Sequence, residues 1–183
     1  MNHPGVIGGT GIPQLAGLAP VATHHPDTPY GAPSGPIQEG QLAGRRVFFL
    51  QRHGSPGVIP PHLVNYRANL WALHALGVRE IVAINAVGGI SSGMEPGRLV
   101  VPDQLIDYTW GREHTFDDGS DGQLRHIDFT EPYDPELRMA LLAAAREAGI
   151  ACAETAVYGA TQGPRLETAA EIRRMAADGC DVV

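Results

Sequence analysis

The sequence predicts an α/β fold with a mixed, largely parallel central sheet flanked by helices, and three observations carry that expectation. Short apolar strand-like runs alternate with helical patterns of three- and four-residue spacing, as in strands joined by crossover helices. Three of the strands run directly into glycine-rich or polar turns, the place where such sheets bind ligands. The chain has 183 residues, 43% hydrophobic and 18% charged, enough for one packed domain spanning 1–183 and unlike a disordered chain.

The elements follow in order. Val6-Ile7 is a short strand that enters the turn Gly8-Gly9-Thr10-Gly11. Residues 19–44, rich in Pro, Gly and His, read as loop with an irregular hairpin. Val47–Leu50 reads as a buried strand ending at Gln51-Arg52-His53-Gly54. Pro60-Pro61 opens a helix whose stripe is Leu63, Tyr66, Leu70, Leu73 and Leu76, and Gly77 stops it. Ile81–Ile84 is a strand running into Asn85-Ala86-Val87-Gly88-Gly89. Leu99–Ile106 is a strand interrupted by Pro102, and 108–134 is a long loop without periodicity. Pro135–Ala148 is a helix with Leu137, Leu141, Leu142 and Ala145 on one stripe. Ala153–Tyr158 alternates as a strand, Glu167–Ala177 is helical, and Asp181-Val182-Val183 opens a further strand whose edge would lack a partner.

Composition removes several function classes. All 13 basic residues are arginine, which excludes a P-loop lysine, a Schiff-base lysine and a lysine general base. The net charge of −7 argues against nucleic acid as a partner. No run approaches the ~18 apolar residues of a membrane span, and Met1–Gly11 lacks the pattern of a signal peptide. Cys152 and Cys180, read as small core residues, support no disulfide framework, and a reduced cytoplasm is the simplest setting. No histidine has metal-ligand spacing, and Asp117, Asp118 and Asp121 match no calcium loop, so no metal is expected. His24-His25 reads as a solvated loop pair, and the absence of Gly-x-Ser-x-Gly speaks against a serine hydrolase.

Three stretches carry chemistry. Gly8-Gly9-Thr10-Gly11 is either a tight turn or an anion site in which main-chain N–H groups and the Thr10 hydroxyl donate. It is not a dinucleotide fingerprint, because Gln14 stands where the third glycine belongs. Arg52-His53 at a strand end is either surface or a pair of oxyanion donors. Asn85-Ala86 leads a turn that can present main-chain donors or simply reverse the chain.

Taken together, these stretches resemble the trimeric purine nucleoside phosphorylase family, in its methylthioadenosine and methylthioinosine phosphorylase branch. The resemblance rests on Val6–Gly11, Arg52-His53-Gly54, Pro60–Asn69, Asn85–Gly89, Pro102–Asp107, Phe116–Ser120 and Gly163–Thr168, which occur in family order over nearly the whole chain. It implies a nucleoside phosphorylase/hydrolase-like fold and phosphorolysis of a purine N-glycosidic bond, with inorganic phosphate as co-substrate and no cofactor. It implies a phosphate cradle of Thr10, Arg52, His53, Asn85 and Ala86, and no side-chain nucleophile. His126, in Arg125-His126-Ile127, matches the histidine that a neighbouring subunit lends to the 5′-methylthio pocket, which implies a homotrimer or a dimer of trimers. Leu166 and Glu167 match the base pocket. Glu167 stands where 6-oxopurine enzymes carry the carboxylate that accepts from purine N1–H, which favours hypoxanthine over adenine. Glu167 can equally be a helix-start residue. Leu166 departs from the family's aromatic. Family members continue well beyond Val183, so the chain reads as lacking their C-terminal portion, including the Asp or Asn that faces purine N7. Methylthioadenosine or general 6-oxopurine phosphorolysis, a non-catalytic nucleoside-binding role and a nucleoside hydrolase are the alternatives.

Overall fold

The computed structural model describes residues 3–183; Met1 and Asn2, the first positions of the stretch read for a signal segment, lie outside them. The fold is mixed α/β. The described residues form two compact units, one of residues up to Ala86 together with Arg112–Asp118, the other of Val87–Gly111 together with Gly119–Val183. Among the described residues no helix is long and apolar enough to cross a membrane.

The first unit is built on a five-stranded sheet. Its strands are β1 (His3–Gly8), β2 (Ala19–His24), β3 (Ile37–Leu42), β4 (Arg45–Gln51) and β5 (Val78–Ile84), in the order β2-β3-β4-β1-β5. β4, β1 and β5 are parallel, while β3 is antiparallel to both β2 and β4. The irregular hairpin expected in 19–44 is the antiparallel β2–β3 pair, whose register shifts between Pro20 and Ala22 and which widens the sheet. His24 lies in β2 and not in a solvated loop: its Nε2 is 2.7 Å from Glu39, which also accepts from Arg46 Nε at 2.7 Å. Those contacts, with Arg46 the larger, hold the Glu39 carboxyl below its ordinary range. The shielding of this polar pair by β strands is a tertiary effect that a local reading of His24-His25 does not contain.

Phe48, Leu50, Ile7 and Ile37 on the strands pack with Ala72 and Leu73 of helix α1 (Tyr66–Ala75) and Val78. Each large side chain removed from water contributes about 1.5–3 kcal/mol. α1 starts later than the sequence suggests. Pro60-Pro61 open only a 3-10 turn, Pro61–Leu63, and the α-helix begins after Asn65, whose Oδ1 accepts from the Ala68 amide at 3.0 Å. Leu63 consequently lies off the packed stripe, 65% exposed. Gly77, at φ +86, ends the helix in a conformation that other residues adopt at a cost.

The second unit holds β6 (Leu99–Val100), β7 (Gln104–Asp107), α2 (Pro135–Glu147), β8 (Cys152–Ala153), β9 (Val157–Ala160) and α3 (Ala169–Ala177). The single strand expected over Leu99–Ile106 is two strands. Pro102 offers no N–H, and β6 pairs with β8 while β7 pairs with β9, both parallel. Ala153–Tyr158 is split in the same way. The Arg138 guanidinium bridges the gaps, donating to the carbonyls of Pro102 at 2.8 Å and Glu154 at 2.6 Å. α3 begins at Ala169 and not at Glu167. Thr168 is its N-cap, accepting from the Glu171 amide at 3.2 Å while the Glu171 carboxylate accepts from the Thr168 amide at 2.7 Å. Val182 is bridged to Gly89 and to Tyr158, so the edge expected to be unpaired has neighbours there. Residues 108–134 form no helix or strand.

One buried polar clamp ties the loop ahead of β3 to α1. Asn69 accepts from the Ser34 amide at 2.7 Å and donates to the Ser34 hydroxyl at 2.9 Å. Asn69→Ala leaves the Ser34 amide without its partner. We expect a loss of about 2 kcal/mol, read as a lower urea midpoint with an unchanged m-value.

Candidate functional site

The carboxyl ends of β4, β1 and β5 lie side by side, with Gly8 in register with Gln51 on one flank and Ile84 on the other. Main-chain bonds continue the sheet into the turns. The Gly9 amide donates to the Ile84 carbonyl at 2.8 Å and the Arg52 amide to the Gly8 carbonyl at 2.9 Å. The Gly9 N–H is thus engaged in the sheet and is not one of the anion donors expected of the turn. Among the described residues the amides of Thr10, Ala86 and Gly11 have no partner.

Gly9 sets the position of Arg52. A Cβ there would stand 2.6 Å from Arg52 Nη2, 2.6 Å from the Ile84 carbonyl oxygen and 3.4 Å from Asn85 Cα. The guanidinium lies in the space that only glycine leaves open. Its Nε is buried without a hydrogen-bond partner, and among the described residues no carboxylate pairs with it. A buried donor without a partner costs about 1–3 kcal/mol, which a bound oxyanion would recover.

His53 follows directly. Its Nδ1 is 2.8 Å from the Ile59 carbonyl oxygen. His53 and Thr10 line a cleft of about 700 Å³ with Gly8–Gly11 on one side and Gly54–Pro61 on the other. The structure therefore brings Thr10, Arg52, His53, Asn85 and Ala86 to one end of three neighbouring strands, all within the first unit.

The remaining candidates lie in the second unit. Glu167, half-buried, lines a cleft of about 510 Å³ with Tyr108, Trp110, Gln162, Arg165 and Arg174. Leu166 is 86% exposed and does not line it. Glu167 precedes the Thr168 cap, so the helix-start role belongs to Glu171. Arg165 donates to both Glu171 oxygens, at 2.8 and 2.7 Å, and this pair brings the Glu171 carboxyl down to about 2. His126 is exposed in the long loop, next to Ile127 at 84% exposure. Tyr108, Trp110 and Ile59 are positions that sequence reasoning passed over. An aromatic in an aperiodic loop and a carbonyl in a turn carry no motif that marks them.

Comparison with known proteins places this geometry. The Phosphorylase superfamily pattern matches residues 4–183. A protein of Xanthomonas campestris pv. campestris, "Probable S-methyl-5'-thioinosine phosphorylase", is 55% identical over 178 residues, 97% of this chain and 71% of the relative. A "Probable 6-oxopurine nucleoside phosphorylase" of Thermococcus kodakarensis is 44% identical over 188 residues, 100% of this chain and 70% of the relative. Among solved structures, the methylthioadenosine phosphorylase of Schistosoma mansoni in complex with adenine superposes with a TM-score of 0.94 at 34% identity, covering 100% of this chain and 73% of that one.

Two outcomes follow from the geometry. Phosphate or sulfate should raise the melting temperature of the parent by linkage, and Gly9→Ala should largely abolish that rise by displacing the Arg52 guanidinium, as differential scanning fluorimetry would read. Glu171→Gln tests the α3 cap. The folded carboxyl is lowered from 4.5 to about 2, so its stabilisation is complete above 4.5 and is lost as pH falls toward 2. The parent should outlast Glu171→Gln in thermal melts at neutral pH, with the gap closing across that window.

Proposed function

The chain belongs to the phosphorylase superfamily, and on that premise we propose that it cleaves the N-glycosidic bond of a 5′-methylthio purine nucleoside with inorganic phosphate. The preferred substrate is S-methyl-5′-thioinosine, and the products are hypoxanthine and 5-methylthioribose 1-phosphate. The observation that carries the reading is the Arg52 guanidinium, seated over Gly9 with its Nε buried and without a partner.

Bond order at the sugar decides what the site must supply. As the C1′–N9 bond breaks, its electron pair leaves with the purine and positive charge builds on the ribose. A phosphate oxygen then forms the new bond to C1′. A bound phosphate dianion both stabilises the sugar cation and attacks it, so positioning and electrostatics supply most of the rate. In this reading Arg52 grips the dianion, Thr10 and the unpartnered amides at Thr10 and Ala86 add neutral donors, and His53 and Asn85 complete the rim. The reaction needs no lysine, no side-chain nucleophile, no metal and no cofactor.

The substrate follows from Glu167 and from the relatives. An ionised carboxylate accepts the N1–H of a 6-oxopurine and repels the N1 lone pair of adenine. The names of the relatives described above divide between methylthio and 6-oxopurine nucleosides, and methylthioinosine is both. The exposure of His126 accords with its serving the 5′-methylthio pocket of a neighbouring subunit in a homotrimer or a dimer of trimers. The enzyme works in the cytoplasm, in purine salvage.

The test is hypoxanthine release from methylthioinosine with and without phosphate. Release that does not depend on phosphate overturns the reading. Arg52→Ala should lower kcat/KM by about 10²–10³, the cost of losing a main electrostatic donor. Methylthioinosine should exceed methylthioadenosine by at least about tenfold in kcat/KM, and Glu167→Gln should erase most of that preference. Inosine in a parallel assay separates a methylthio enzyme from a general 6-oxopurine phosphorylase.

A further inference from the structure

We propose that Arg67 is a positioning residue: it clamps residues 112–118 onto α1 and so fixes one foot of the long loop that carries His126. The inference rests on the proposed reading of His126 at the 5′-methylthio group of a neighbouring subunit's substrate, and it adds the device that holds that loop. The loop has no helix or strand of its own, and from Glu113 to Glu131 every residue is exposed. Such a segment presents a side chain reliably only if its ends are held. Arg112–Asp118 pack with the first unit, although the chain on both sides of them belongs to the second.

The hold comes from α1. Arg67 Nη2 lies 2.7 Å from the Glu113 carboxylate, and Nη1 donates to the Thr115 carbonyl at 3.3 Å. The same guanidinium stands 5.0 Å over the Tyr30 ring. Tyr30 is edge-on to Phe116 at 5.3 Å and to Trp71 at 5.6 Å, and Trp71 is 6.4 Å from Phe116. Arg67 and Trp71 are four residues apart and share one face of the helix. Beside them Arg112 stands 5.0 Å over the Tyr66 ring. Glu113 is 78% exposed, so its ion pair alone is a weak surface pair. The grip lies in the combination of a planar fork, a main-chain acceptor and an aromatic bed, which lysine could not reproduce. The Arg67 side chain is only 23% exposed and its Nε is buried without a partner, a cost that a solvated arginine would not bear. At the far side Gln104 Nε2 donates to the Thr130 carbonyl at 3.0 Å. His126 stands between these two ties. Releasing the first leaves the span tethered from further back, so the imidazole samples more space and is presented less often.

Tryptic cleavage of the full chain reads the clamp without any assay of activity. Arg67→Gln should speed the cut after Arg112 by at least about tenfold, because a protease needs an unpinned segment, and leave the cut after Arg146 in α2 unchanged. An unchanged rate after Arg112 overturns the clamp. Kinetics read its consequence. Arg67→Gln should raise KM for methylthioinosine about tenfold, keep kcat within about twofold and leave KM for inosine nearly unchanged. His126→Ala should do the same, and the double variant should be no worse than either alone, because one residue acts through the other. Additive losses overturn the positioning role. Phe116→Ala, on the loop side, repeats both measurements if the helix variant folds poorly. A parent that cleaves neither nucleoside with phosphate removes the phosphorylase reading, and the Arg112 cut still decides the clamp; phosphate-dependent cleavage with additive losses keeps that reading and removes the inference.

Discussion

The close approach of the Arg52 guanidinium to the backbone of Gly9 is the constraint on which the site depends. β1 is the middle of three parallel strands, so its last residues are flanked on both sides by main chain. A side chain at the turn would have to share that space with the Ile84 carbonyl and with Arg52 Nη2, each 2.6 Å from where a Cβ would stand. Glycine removes the conflict, and the sheet bonds from Gly9 to Ile84 and from Arg52 to Gly8 hold the two turns against each other. The cation is therefore positioned by main chain on three strands, which is a stiffer mount than a loop would give.

The second unit is held by a different means. Its strands are short, two to four residues, and their ladders are brief. Side chains complete what the ladders leave open. Arg138 satisfies the carbonyls around Pro102, and Asp181 accepts from Ser91 Oγ at 2.7 Å and from the Val157 amide at 2.9 Å. Tyr108 donates to Asp178 at 2.7 Å, and burial together with that bond raises its phenol well above the ordinary range. Gly159 in β9 leaves room for the Met175 methyl of α3. The cleft that contains Glu167 is thus walled by polar clamps, where the cleft at Thr10 and His53 is walled by backbone and proline.

The strands and helices with strong local signals were legible in the sequence. Val47–Leu50 is apolar throughout and lies in β4; Pro135 and Gly149 bracket α2. Elements decided by partners were not. β2 contains Pro20 and exposes Val21, and it is a strand because β3 pairs with it. Pro102, which interrupts one expected strand, and residues 154–156, within another, each lie where two short strands take different partners. The strand-end placement of Thr10, Arg52, Asn85 and Ala86 was readable because each follows an apolar strand run in the sequence, and strand-end turns are where such sheets bind ligands. The tie between His53 and Ile59 was not, because a main-chain acceptor has no sequence signature. Glu167 was read as a base-pocket carboxylate or a helix start, and the second of these does not hold, because the capping box is made by Thr168 and Glu171, one and four positions further on.

The charge balance of the chain sharpens the meaning of Arg52. Acidic side chains outnumber basic ones, 20 to 13, so carboxylates are available to neutralise any arginine the fold does not hold apart. Arg46, Arg67, Arg146 and Arg165 each have one, at 2.7–2.8 Å. Arg52, by contrast, has no carboxylate at ion-pair distance among the described residues, and its Nε is buried without a partner, as is that of Arg67. The net charge of −7 repels a phosphate dianion at long range, but screening confines that repulsion to roughly 8 Å in physiological salt. At contact range the local field at the strand ends is that of a guanidinium with main-chain donors. Under the proposed function, such a site would give up local stability to keep a cation unneutralised until the reactant anion arrives from solution.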